Sequence, residues 1–116
     1  MSTLRAKRGD SNPFRFTCVD SASAPLDLTN FLATFTVRRN VDDEDAVLVV
    51  EGPSDALSAY GDPVDGLLDM DLAPADTSDL LGDYRFDLEV LLGDSVWTVD
   101  EGVFMVKADV TRDSGS

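Results

Sequence analysis

Gly82-Asp83-Tyr84-Arg85-Phe86-Asp87-Leu88-Glu89-Val90-Leu91-Leu92 is the stretch that decides the fold. Tyr84, Phe86, Leu88 and Val90 alternate with Asp83, Arg85, Asp87 and Glu89, the period of a strand with one buried and one wet face. Gly93-Asp94 then turns the chain into Ser95 to Val99, which predicts a hairpin. Upstream, Pro74 to Gly82 carries a capping choice, the apolar pair Leu80-Leu81 and a closing glycine, and suits a single helical turn.

Working outward, the same period recurs. Thr3 to Arg8 is a polar, basic candidate that reads as an edge strand, closed by turn signals at Gly9-Asp10 and Asn12-Pro13. Phe14 to Asp20 would turn Phe14, Phe16 and Cys18 inward. After a loop at Ser21 to Pro25, Leu26 to Thr29 leads into a strand from Leu32 to Arg39, with Phe35 and Val37 on its buried face. The acidic run Asp42 to Asp45 reads as a solvated hairpin loop before Ala46 to Glu51, and Gly52 to Gly66 as a long surface connection pinned by Leu57 and Tyr60. Leu67 to Leu72 turns Leu68, Met70 and Leu72 to one side, and Gly102 to Val110 is the last strand. No window of helical length shows helical apolar spacing.

Seven or eight short strands, with turn signals between them, predict an all-β, immunoglobulin-like antiparallel β-sandwich, with an antiparallel barrel as the alternative. The sandwich is favoured by Tyr84, which stands two residues before the inward Phe86 and directly after the helical turn. That is the layout of a tyrosine corner, whose hydroxyl bonds backbone upstream, with Phe86 where a disulfide cysteine would sit. A plain core tyrosine with its hydroxyl at the surface is the other reading. The expected core is Phe16, Phe35, Val37, Leu72, Tyr84, Phe86, Leu88 and Trp97. At 116 residues the chain fits one domain, assigned to residues 1–112, with 113–116 as a flexible tail.

Composition narrows function. The chain has 9 basic and 23 acidic residues, a net charge of −14 and no histidine. That charge disfavours nucleic acid as a partner, and the lack of histidine removes the commonest general base and metal ligand. No apolar run approaches the roughly 18 residues of a membrane helix, and the N-terminus has no secretory-signal pattern, so cytosolic synthesis is expected. Cys18 is the only cysteine and reads as a small core residue. Of the acids, 19 are aspartate, which leaves two readings: solubilising loops or carboxylate clusters for calcium. Asp69 and Asp71 share a strand face as a catalytic pair would, yet such spacing is common on an Asp-rich surface. Arg8-Gly9-Asp10 matches the integrin tripeptide and is assigned no function. No enzyme, cofactor or metal is expected.

Leu4-Arg5-Ala6-Lys7-Arg8-Gly9-Asp10, leading into an aromatic strand, and then Ala24-Pro25-Leu26-Asp27-Leu28-Thr29, resemble the opening of small immunoglobulin-like domains in tailed-bacteriophage virion proteins. The N-terminal domain of baseplate upper proteins is the particular likeness. Asp69 to Leu72, Asp76-Thr77, Leu81 to Val90, Val96 to Gly102 and Val106 to Arg112 look like the second half of the same pattern. The resemblance implies a structural virion protein that attaches or adapts tail, baseplate or fibre components, made in the host cytoplasm and working in the virion. Longer relatives continue beyond this domain, whereas this sequence ends at Ser116, which adds head (capsid) decoration as an alternative. A carbohydrate- or calcium-dependent binding module, using Trp97 and Tyr60, is a further alternative. Arg5, Lys7 and Arg8 concentrate three of the nine positive charges on one strand, the candidate contact to an acidic face of a virion neighbour or of another copy.

Overall fold

In the computed structural model, residues 2–40, 42 and 44–108 are described. The expected tail at 113–116, the end of the last candidate strand at 109–110, and Asp43 of the acidic run lie outside them. Eight strands form two sheets: β1 (Ser2–Lys7), β2 (Asn12–Thr17), β3 (Leu32–Arg38), β4 (Leu48–Gly52), β5 (Leu57–Ala59), β6 (Leu67–Leu72), β7 (Gly82–Leu92) and β8 (Ser95–Lys107). One sheet runs β1-β8-β7-β3-β4 and the other β2-β6-β5. This is a sandwich and not a closed barrel. Strands β2, β5 and β6 take the B, D and E places of an immunoglobulin-like Greek key, β3, β7 and β8 take C, F and G, and β4 widens the second sheet.

The alternation read from sequence is realised where it was strongest. Tyr84, Phe86, Leu88 and Val90 are buried, as are Leu68, Met70 and Leu72 from the opposite sheet. Phe35 is completely buried, and its ring lies 6.1 Å from Phe16, 5.5 Å from Phe86 and 5.9 Å from Phe104. Phe16 belongs to the three-stranded sheet and the other three rings to the five-stranded one, so this cluster joins the layers. Each such side chain contributes roughly 1.5–3 kcal/mol by leaving water. Trp97 and Phe14, both expected inside, are only half-buried at the margin of this core.

Four features depart from expectation. The pairing is not wholly antiparallel, because β1 runs parallel to β8, with Ser2 opposite Gly102 and Lys7 opposite Lys107. The candidate at Ser95 to Val99 and the start of the one at Gly102 to Val110, as far as Lys107, belong to one strand: a register shift opposite Leu88 and Glu89 absorbs an extra residue between Thr98 and Asp100, so the strand continues through Asp100-Glu101-Gly102. The connection after Gly52 contains β5, where Leu57 pairs with Met70 and is fully buried; three residues are too few to show a period. Asn12-Pro13 begins β2 and is not a turn. Asn12 is buried, and its side chain accepts from the Lys7 N–H at 3.0 Å and donates to the carbonyls of Lys7 and Asp10 at 3.0 and 2.9 Å.

The helical turn is α1 (Pro74–Thr77), where the Asp76 carboxylate accepts from the Ala73 N–H at 2.8 Å. Thr77 is fully buried and ties this turn to the first strand, its hydroxyl accepting from Gly9 N–H at 3.0 Å and donating to the Lys7 carbonyl at 3.5 Å.

Candidate protein-binding surfaces

The basic segment is a paired edge strand whose side chains alternate across the sheet. Leu4 and Ala6 face the core side, while Arg5 and Lys7 project from the outer face and Arg8 is exposed in the following turn. Its position is set at both ends. Asn12 and Thr77 hold the backbone at Lys7, and the Ser2 hydroxyl donates to the Asp100 carboxylate. At Gly102 the strands approach so closely that a Cβ would stand 1.9 Å from the Ser2 carbonyl oxygen. The parallel register also sets Lys107 beside Lys7, a fourth cation that lies 100 residues away in sequence and could not be placed from it. Among the described residues none of these four cations enters an ion pair, whereas Arg15 pairs with Asp69 and Arg38 with Asp87.

Tyr84 sits at the corner between β6 and β7. Its hydroxyl accepts from the Leu81 N–H at 3.0 Å and donates to the Leu81 carbonyl at 3.2 Å, while its ring is 97% shielded from solvent. The Arg39 guanidinium lies 5.5 Å from the ring centre. These contacts close the corner and leave no reactive group there.

The carboxylates on β6 have a structural partner. Arg15 on the adjacent β2 grips Asp69 with two nitrogens, at 2.7 and 3.1 Å, and its guanidinium lies 3.7 Å from the centre of the Tyr60 ring. The hydrogen bond from Arg15 holds the Asp69 carboxyl below the usual carboxylate range. A general acid needs the opposite shift, so the geometry holds Asp69 as the ionised partner of Arg15. Cys18 is fully buried, and desolvation pushes its thiol up to about 11, which keeps it protonated at neutral pH. Among the described residues no three acidic or cysteine side chains converge as metal ligands would.

Tyr60 and Trp97 do not form one aromatic platform. Trp97 is opposite the buried Val90 and so faces the interior side of the five-stranded sheet, whereas Tyr60 stacks with Arg15 on the outer side of the other sheet. Tyr60, expected to pin its loop inward, is 49% exposed. In comparisons with known proteins, no family model matches the chain and no curated protein is similar to it.

Proposed function

We propose that this immunoglobulin-like sandwich is a non-enzymatic structural protein of a tailed-phage virion, attaching or adapting tail, baseplate or fibre components through protein–protein contacts. The observation that carries the reading is the ordered set of motifs resembling phage virion domains. They fall on β1 and its turn, on the β2–β3 connection, on β6, on the Tyr84 corner with β7, and along β8. Chemistry that would compete with this reading has little to work with, since Asp69 is engaged by Arg15 and Cys18 is buried.

Arg5, Lys7 and Arg8 are the contact that the reading assigns to an acidic neighbour. A fixed strand loses less conformational entropy on binding than a loose arm, so its exposed cations are suited to steering and holding an acidic partner. The test is incorporation into particles of a chain carrying Arg5→Ala, Lys7→Ala and Arg8→Ala together. Incorporation should fall, and that of the natural chain should weaken with added salt. Equal incorporation of both chains at every salt concentration would remove the basic strand from the account.

A further inference from the structure

The strands β1 and β8 differ in length, 6 residues against 13, and β1 covers only Gly102–Lys107. Among the described residues no strand pairs with the first half of β8 on that side. The regular part of this uncovered edge, before the extra residue opposite Leu88 and Glu89, is Ser95-Val96-Trp97-Thr98. Alternate backbone N–H and C=O groups along it point to solvent and can accept another strand.

The other sheet edges carry features that discourage such pairing. In β1 the exposed side chains include the cations Arg5 and Lys7, and the Lys7 backbone is taken by Asn12. Pro13 interrupts the donors of β2, Pro53 follows β4 at once, and β5 is three residues long. Ser95–Thr98 has neither a charge nor a proline. It also carries apolar surface on both faces: Val96 is 62% exposed on the outer face, and Trp97 is half-buried on the inner one. Val96 ends a row that begins with Leu32, 56% exposed, and passes through the half-buried Leu91. A strand added about 4.8 Å beyond β8 would extend that row by one residue and shelter Trp97 with the next.

The charges bounding this edge decide its occupant. Asp94 lies at one end, and Asp100 and Glu101 at the other. Antiparallel pairing of two copies along this edge would bring these carboxylates against one another, and each copy already carries −14. We propose that Ser95–Thr98 is a docking edge for an extended segment of another protein, with alternating apolar side chains and a lysine or arginine at each end. Strand addition of this kind takes affinity from main-chain hydrogen bonds and specificity from alternate side chains. The site is separate from the basic β1 strand and does not depend on it.

The probe is a synthetic seven-residue peptide of alternating valine and threonine with a lysine at each end, titrated into the isotopically labelled full chain and followed by amide chemical shifts. The expected result is saturable shifts confined to Ser95–Thr98, the Trp97 indole and their neighbours on β7. The Val96→Lys chain, altered at an exposed position, should bind at least tenfold more weakly while keeping its other amide shifts. A peptide with glutamate at both ends should bind at least tenfold more weakly to the natural chain. Absence of saturation, shifts centred elsewhere, or equal binding by the Val96→Lys chain would overturn the proposal. So would a peptide-free dimer that Val96→Lys dissociates, since the edge would then belong to a second copy.

Discussion

Replacing Tyr84 by phenylalanine removes one oxygen and leaves the ring where it is. The hydroxyl makes two hydrogen bonds to Leu81, at 3.0 and 3.2 Å, from a side chain that is 3% exposed. Each such bond contributes about 0.5–1.5 kcal/mol net, so the pair together contributes roughly 1–3 kcal/mol. Leu81 is itself 53% exposed, which lets water reach part of its freed backbone and draws the expectation toward the middle of that range, about 2 kcal/mol. At about 2 cal/mol/K of unfolding entropy per residue, a chain of 116 residues loses about 4 °C of Tm for each kcal/mol, so Tm should fall by roughly 8 °C. Urea unfolding followed by Trp97 fluorescence should show a lower midpoint with an unchanged slope, because the same surface is exposed on unfolding. Tyr60→Phe, at a residue that is 49% exposed, is the control and should change stability by less than about 0.5 kcal/mol. If Tyr84→Phe is no more destabilising than Tyr60→Phe, the corner contributes nothing and the reasoning from its geometry fails.

Other perturbations test other joints. Gly102→Ala places a Cβ 1.9 Å from the Ser2 carbonyl oxygen, so the start of β1 should leave β8, at a cost of about 1–3 kcal/mol; hydrogen exchange at residues 2–7 as slow as in the natural chain would contradict this. Cys18, buried and with its thiol at about 11, should resist a thiol reagent in the native protein at neutral pH and react at once in urea, whereas prompt native modification would show the strand end open. Asp69, its pKa lowered in the fold by Arg15, adds stability above the ordinary carboxylate range and loses it as pH falls through the folded value. Because the pair is exposed, Asp69→Asn should cost less than about 1 kcal/mol at neutral pH and almost nothing in acid; a cost that rises in acid would have the wrong sign. Phe35→Ala opens the centre of the four-ring cluster and should cost about 3–5 kcal/mol in thermal or urea unfolding, while a loss below about 1 kcal/mol would mean that the layers do not meet there.

Strands whose two faces differ sharply were legible in the sequence. In β7, four inward apolar residues alternate with charged ones, and burial follows the alternation from Tyr84 to Val90. Leu57–Ala59 was not legible as a strand, because three residues carry no period, although Leu57 was expected to pin the connection and is fully buried beside Met70. The continuity of β8 was hidden by Asp100-Glu101-Gly102, which reads locally as a break, although Gly102 is there because Ser2 approaches it. The parallel pairing of β1 is a property of two distant segments, and neither segment's pattern contains it. Among surface residues, Arg5, Lys7 and Arg8 stand out as a run of positive charge, but Lys107 joins them only through register. The bare edge at Ser95–Thr98 is likewise a difference in length between strands at opposite ends of the chain.

The proposed role in a virion is tested most directly by quantitative mass spectrometry of virus particles purified from cultures in which the gene for this chain is expressed, after washing at high salt. The account predicts the protein in fixed ratio to the tail proteins, with particles from which it has been deleted lacking a tail or fibre component. A ratio near one to the capsid protein would place it on the head instead. Its absence from particles would contradict a structural role altogether.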